Sequence, residues 1–114
     1  MAEDTEDTLE SKDPKIFAIN YAKEVATDLR QLRAKDRTTI LDKIDEQLTY
    51  DPIVATRNKK VLPGLIPPWD CVPPVWELRI GEFRVFYDVD LTSSTVYVRA
   101  IRRKPPHLTT EQIL

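Results

Sequence analysis

One stretch of alternating residues in the C-terminal half constrains the fold more than any other part of the sequence. Apolar side chains recur at every second position on both sides of Gly81, and glycine suits the first central position of a two-residue type II′ turn. We therefore predict a β-hairpin of strands 75–80 and 83–90, with Ile80 directly opposite Phe83. Because successive side chains on a strand point to opposite faces, this register fixes the face of every residue in the hairpin.

The predicted hairpin has one face that is almost wholly apolar. A third strand, over residues 95–102, follows after a four-residue turn and extends that face. The side chains on this face are Trp76, Leu78, Ile80, Phe83, Val85, Tyr87, Val89, Val96, Val98 and Ala100.

Two amphipathic helices precede the hairpin and are suited to cover its apolar face. Residues 21–32, with Asn20 marking the start, and residues from about 36 to 50 carry apolar side chains at three- and four-residue spacing. A run of β-branched and aromatic residues over 15–19 predicts a further strand before them. The expected fold class is α+β, with two layers, in which a helical hairpin covers one face of a mainly antiparallel sheet.

The opposite face of the predicted sheet collects charged side chains. Arg79 falls directly opposite Arg84, and like charges in that relation destabilise a sheet. In one interpretation, Glu77 and Asp88 pair with the arginines on a solvated surface. In the other, the face is a polyanion site, where guanidinium groups bind phosphates and aromatic rings stack on unpaired bases. The predicted members of this face are Val75, Glu77, Arg79, Arg84, Phe86, Asp88, Tyr97, Arg99, Ile101 and Arg103.

A proline-rich connection, residues 51–74, separates the helices from the hairpin. It holds six prolines and no strong periodicity, so we predict neither a helix nor a strand in it. Connections of this length tend to be functional or mobile. Lys59 and Lys60 lie in it and are candidate phosphate contacts, although a solvated loop is the expectation.

The composition excludes several classes of protein. The chain has 114 residues, enough for one domain, and its two glycines cannot build a glycine-rich phosphate-binding loop. With one cysteine, Cys71, and one histidine, neither an internal disulfide nor a zinc site of cysteines and histidines can form, so no cofactor is expected. No long apolar run and no basic leader is present, which predicts a cytoplasmic protein.

Charge divides the chain into two segments. Residues 1–13 hold six acids and one lysine and are expected to form a disordered acidic tail. Residues 14–114, the predicted domain, hold 16 basic and 13 acidic residues. So small an excess does not by itself imply nucleic-acid binding, and the outcome depends on whether the positive charges cluster.

Two segments of the predicted sheet resemble the RelE/ParE superfamily of bacterial toxins. They are VWELRIGEFRVFY at residues 75–87 and VYVRAIRR at residues 96–103, and the similarity spans about residues 15–108. The resemblance implies a compact α+β toxin that a cognate antitoxin neutralises. RelE-type members cleave mRNA in the ribosomal A site, without a metal, through attack of the 2′-hydroxyl on the adjacent phosphate. ParE-type members share the fold and inhibit DNA gyrase.

The resemblance also assigns candidate catalytic residues. Arg84 matches the hairpin arginine that supports the phosphate in RelE-type enzymes, and Arg103 matches a second catalytic arginine. Some members have lysines where this chain has Val75 and Glu77, and a C-terminal tyrosine that this chain lacks. Other relatives use a glutamate base and a histidine acid, for which Glu77 and His107 are the candidates. The candidate RNA contacts are Arg79, Arg99, Lys59, Lys60, Phe86 and Tyr97.

Three functions are open on the sequence alone. The first is a ribosome-dependent mRNA endonuclease toxin, whose partners are the ribosome, mRNA and an antitoxin. The second is a ParE-type inhibitor of DNA gyrase, and the third is a non-catalytic interaction or regulatory member of the same fold. The four arginines predicted on one face favour the first function, whereas the small net charge counts against it.

Overall fold

The structure is a computed structural model that describes residues 15–114, so the predicted acidic tail of residues 1–13 lies outside the described residues. The described part is an α+β domain with a five-stranded sheet. Its elements are β1 Ala18–Tyr21, α1 Lys23–Arg30, α2 Ala34–Leu48, β2 Lys59–Leu62, β3 Val75–Ile80, β4 Phe83–Asp90, β5 Thr95–Arg103 and α3 Thr110–Ile113. The strand order is β1-β5-β4-β3-β2, in which β1 runs parallel to β5 and the other pairs are antiparallel. The predicted fold class is confirmed.

The central hairpin has the predicted register. Ile80 pairs with Phe83 and Arg79 pairs with Arg84 across β3 and β4. Gly81 has a φ of +57°, and Ser94 is the one non-glycine residue with positive φ in the described part of the chain. A positive φ at Gly81 followed by a negative φ at the next residue is the combination that a type II′ turn requires.

The helical hairpin covers the apolar face of the sheet, as predicted. Val25 of α1 and Ile40, Ile44 and Leu48 of α2 are fully buried. They pack against the sheet side chains Trp76, Leu78, Ile80, Phe83, Val85, Tyr87, Val96, Val98 and Ile101.

The first strand and helix start later than predicted. Asn20 lies inside β1, opposite Tyr97 of β5, and does not cap a helix. The residue that precedes α1 is Ala22, whose backbone N–H donates to the carbonyl of Val98 at 2.8 Å. Pairing with β5 therefore extends the strand through Tyr21, and α1 begins without a side-chain cap.

A β-bulge in β5 changes which residues share a face. Phe86 pairs with Ala100 but the next residue, Tyr87, pairs with Val98, so Arg99 is the extra residue. A bulge reverses the alternation beyond it. As a result Ala100 lies on the face of Phe86 and Ile101 joins the helix-covered core. The predicted faces of Ala100, Ile101 and Arg103 are wrong for this reason.

The proline-rich connection is not the solvated loop that we expected. It contains β2, which pairs with β3, and the part that follows β2, residues 63–74, folds over the second face of the sheet. There a smaller apolar cluster forms from Val75, Phe86 and Ala100, covered by Leu62, Leu65, Trp69, Cys71, Ile113 and Leu114. Within residues 15–114, no helix is both long and apolar enough to cross a membrane.

Candidate active site

Glu77 is a buried carboxylate on the face of the sheet opposite the helices. It is 4% exposed, and its neighbours are a hydroxyl and two cations. Its Oε1 accepts a hydrogen bond from the Thr110 hydroxyl at 2.8 Å. Its Oε2 lies 3.8 Å from Arg84 Nε and 3.8 Å from Lys60 Nζ. Both cations are near enough to compensate the negative charge but too far to form short charge-assisted hydrogen bonds.

Arg84 is held beside Glu77 by the hairpin turn. Its Nη1 donates to the carbonyls of Gly81 and Phe83, both at 2.9 Å, and the residue is 8% exposed. Burial lowers the pKa of Arg84, the Glu77 carboxylate raises it, and the facing Arg79 lowers it. Within residues 15–114 its Nη2 donates no hydrogen bond, so that edge of the guanidinium is available to a ligand.

A cavity of about 230 Å³ lies in front of these two groups. It is lined by five cationic side chains and by one carboxylate, that of Glu77. Guanidinium and ammonium groups gathered in this way suit a phosphate, which accepts several charge-assisted hydrogen bonds. The lining residues are Arg57, Asn58, Lys60, Glu77, Arg79, Arg84, Lys104 and Thr110.

The surroundings of the arginines show which of the two interpretations of the charged face applies at each end of the sheet. Arg79 is exposed and lines the cavity together with Arg84, so the two like charges face a shared opening. Arg99 behaves differently, since its guanidinium makes two hydrogen bonds to the buried Asp88 at 2.8 and 3.0 Å, and this pairing raises its pKa. The ion-pair interpretation thus describes the β5 end of the face, and the polyanion interpretation fits the β3–β4 end.

Four of the predicted site residues therefore line one cavity: Glu77, Arg79, Arg84 and Lys60. Sequence reasoning missed Arg57, Lys104 and Thr110. Lys104 follows directly after Arg103, and its backbone N–H donates to the carbonyl of Glu82 at 2.7 Å. A one-residue register shift between β4 and β5 decides that Lys104, and not Arg103, lies at the cavity. The local sequence pattern gives no sign of this shift.

Arg103 and His107 do not join this cavity. Because of the bulge, Arg103 pairs opposite Phe83, lies over that ring with its Cζ 4.7 Å from the centroid, and forms an ion pair with Glu82. The prediction that Arg103 shares a face with Arg84 is wrong. His107 is exposed in the turn between β5 and α3 and does not line the cavity, so the predicted pairing with Glu77 is not formed.

Lys59 is a structural residue in this fold. It is 3% exposed, and its Nζ donates to the carbonyls of Gln47 at 3.1 Å and Asp51 at 2.6 Å. These carbonyls lie at and just beyond the C-terminal turn of α2, where a cation is favoured. Burial lowers the pKa of Lys59, and the Asp51 carboxylate offsets part of that change. Lys59 therefore does not line the cavity, because its amine is used within the fold.

The two predicted stacking residues also lie away from the cavity. Phe86 is fully buried beneath Trp69, with ring centroids 5.7 Å apart, so it offers no free ring surface. Tyr97 is partly exposed, but the guanidinium of Arg99 lies 4.6 Å from its ring centroid. The expectation of an exposed Phe86 ring is wrong because the proline-rich segment covers it.

A second cavity, of about 620 Å³, lies beside β5 and has a different character. Two arginines line it, and both are paired: Arg102 with Asp28 at 3.4 Å and Arg99 with Asp88. Trp69 forms another part of the wall. Its carboxylates are those of Glu24, Asp28 and Asp70. Among the described residues, no group of three or more His, Cys, Asp or Glu side chains is placed to hold a metal ion.

Comparison with known proteins gives matches in structure and not in sequence. No protein-family model matches the chain, and no curated protein matches it. The archaeal RelE of a RelE–RelB complex from Pyrococcus horikoshii OT3 has a TM-score of 0.63 at 20% identity, covering 80% of this chain and 98% of that one. A RelBE toxin–antitoxin complex from Mycobacterium tuberculosis gives 0.61 at 18% identity, with 78% and 99% covered.

The isolated RelE toxin of E. coli is a third structural neighbour. Its TM-score is 0.59 at 16% identity, and the alignment covers 84% of this chain and 90% of that one. The three alignments cover almost the full length of each neighbour. The chain therefore has the RelE-like fold, as residues 75–87 and 96–103 predicted.

Proposed function

We propose that this chain is the toxin of a toxin–antitoxin pair and that it cleaves mRNA on the ribosome. The observation that carries the proposal is the buried Glu77 carboxylate at the centre of a cavity with five cationic side chains. The RelE-like fold supports it, since the structural neighbours are RelE toxins, two of them in complex with an antitoxin.

The proposed reaction is attack of an RNA 2′-hydroxyl on the adjacent phosphorus. Glu77 accepts the proton of that hydroxyl, because it is the one carboxylate that lines the cavity. Arg79 and Arg84 stabilise the added negative charge on the non-bridging oxygens of the pentacoordinate phosphorane. The bond from phosphorus to the 5′-oxygen then breaks, and Lys104 donates a proton to the leaving oxygen. The products are a 2′,3′-cyclic phosphate and a 5′-hydroxyl.

Burial of the Glu77–Arg84 pair favours a catalytic function over a purely protein-binding one. Removing a carboxylate and a guanidinium from water costs several kcal/mol per ion, roughly, unless short hydrogen bonds offset it. Here the two groups remain 3.8 Å apart, so the structure does not recover that cost through a tight ion pair. An inhibitor that only docks against gyrase has no use for such an arrangement.

An antitoxin is the proposed protein partner. The neighbours from P. horikoshii and M. tuberculosis are each a toxin solved together with its antitoxin, and this chain covers nearly all of those chains. Co-expression with the product of the adjacent gene, where that gene encodes a small protein, followed by co-purification, tests this part of the proposal. Two proteins that elute separately would count against it.

The test of activity is the single-turnover cleavage rate of ribosome-bound message. Arg84→Lys should lower this rate at least tenfold, because a point ammonium cannot make the parallel contacts of a guanidinium. Glu77→Gln should also lower it without weakening ribosome binding, because the amide keeps the size but not the basicity. Arg30→Lys and Glu46→Gln, at exposed helix positions, are the matched controls.

A gyrase supercoiling assay on the same wild-type protein completes the experiment. Cleavage by the wild type, loss in both site variants and no effect on supercoiling is the expected result. Inhibition of supercoiling without any cleavage would replace the proposal with the ParE-type function.

A further inference from the structure

Glu77 and Arg84 form an ion pair that is longer than a direct hydrogen bond. Their side chains are 5% and 10% exposed, yet Oε2 and Nε are 3.8 Å apart. Charge-assisted N–H···O bonds are about 2.7–2.9 Å long, and attraction between opposite charges is stronger in a buried site than in water. Other contacts must therefore hold the two groups apart.

Each member of the pair is held from its far side. Arg84 is fixed through Nη1 by the carbonyls of Gly81 and Phe83. Glu77 is fixed through Oε1 by the hydroxyl of Thr110 at 2.8 Å. The last torsion of a glutamate side chain is broad, so without that hydroxyl the carboxylate is free to turn towards the guanidinium.

The position of Thr110 is set by the C-terminal segment. Thr109 and Gln112 form a capping box that starts α3, in which the Thr109 backbone N–H donates to Gln112 Oε1 at 2.8 Å. Ile113 and Leu114 pack against the apolar cluster around Phe86. The turn that carries Thr110 is thus fixed internally by the capping box and anchored to the sheet by the two residues that follow it.

We propose that Thr110 is a positioning residue for the RNA cleavage proposed above, and the inference rests on that function. Its hydroxyl keeps Glu77 from closing onto Arg84, so that Oε2 stays available to the 2′-hydroxyl and the guanidinium stays available to the phosphate. The RNA then enters between two charged groups that have not neutralised each other.

The cleavage kinetics of a variant that lacks the Thr110 hydroxyl test the proposal. Thr110→Val should lower kcat for cleavage of ribosome-bound message by about tenfold to a hundredfold, the equivalent of one hydrogen bond to a charged group. KM should change less than about threefold, since the cations that bind phosphate are retained. Thr110→Ser should keep a rate close to that of the wild type, and Thr38→Val, at an exposed threonine of α2, is the matched control.

A second measurement needs no RNA and reports on the Glu77–Arg84 ion pair directly. In ¹H–¹⁵N NMR spectra of the protein alone, the Arg84 Nε–H signal should move downfield and exchange more slowly with water in Thr110→Val, because the pair closes. If Thr110→Val does not fold, Thr110→Ala removes the same hydroxyl. An unchanged Arg84 signal would overturn the claim that Thr110 holds the pair open, and an unchanged kcat would by itself overturn the positioning role of Thr110.

The two proposals fail in different ways. If the wild type cleaves no RNA, the proposed function fails, and the Arg84 signal alone decides whether Thr110 holds the pair open. If the wild type cleaves and Thr110→Val cleaves equally fast, the function stands and the positioning role of Thr110 is overturned.

Discussion

Replacing Lys59 by methionine should destabilise the fold, whereas the same change at Lys60 should not. The Lys59 ammonium donates to the carbonyls of Gln47 and Asp51, and methionine leaves both without this donor. Hydrogen bonds from charged donors are worth about 1.5–3 kcal/mol each, so two of them amount to about 3–6 kcal/mol. Part of this loss in the free energy of unfolding is offset, because the variant no longer buries an ammonium group. The cost of burying that group is visible in the lowered pKa of Lys59. We expect a net loss of about 2–3 kcal/mol.

Urea unfolding followed by tryptophan fluorescence measures this loss. With an m-value of about 1–1.5 kcal/mol per M for a domain of this size, the midpoint of Lys59→Met should fall by about 1.3–3 M. Lys60 is mostly exposed and lies 3.8 Å from Glu77, so Lys60→Met should shift the midpoint by less than about 0.3 M. It should instead weaken binding of RNA.

Two results would refute this reasoning about Lys59. An unchanged midpoint would mean that its amine does not stabilise the end of α2. A fully stable Lys59→Met variant that binds RNA less tightly would mean that the amine leaves the fold to reach RNA, which would restore the prediction made from the sequence.

Two further predictions concern Tyr87 and the two cations at the C-terminal end of β5, Arg103 and Lys104. The buried Tyr87 hydroxyl donates to the Pro52 carbonyl at 2.5 Å, so Tyr87→Phe should lower the free energy of unfolding by about 1–2 kcal/mol in thermal or urea denaturation. Burial raises the pKa of Tyr87, so above about pH 10 the unfolded state releases this proton before the folded state does. Wild-type stability should therefore fall with rising pH more steeply than that of Tyr87→Phe, and parallel curves would contradict the assignment. Arg103→Ala should leave single-turnover cleavage within about twofold, whereas Lys104→Met should lower it at least tenfold, and the reverse order would show that the bulge does not decide which cation serves the site.

Much of the fold follows from short-range patterns in the sequence. Gly81 between two alternating segments is enough to predict the hairpin, its turn and the pairing of Arg79 with Arg84. The apolar stripes of the two helices predict that Ile40 and Ile44 are buried. These features are predictable because turn geometry and side-chain periodicity act over a few residues.

Part of the candidate site follows from the same register. Once the hairpin is known, Glu77, Arg79 and Arg84 must lie on one face, and the structure places all three at one cavity. The neighbour on β2, Lys60, was predicted as a phosphate contact, but its strand was not recognised among the prolines. A four-residue edge strand forms only because β3 offers it a partner.

The tertiary structure alone decided the remaining members of the site. A single extra residue at Arg99 turns Arg103 away and places Lys104 at the cavity, and it arises from the match between two strands, which no local pattern records. Thr110 reaches Glu77 from 33 residues further along the chain, because Ile113 and its neighbours dock on the sheet. The sequence by itself therefore determined the hairpin, the helical layer and the arginines of the face, through interactions between near neighbours. Packing between distant segments decided which charged side chains face the cavity and which are paired inside the fold, because these contacts join residues that are far apart in the sequence.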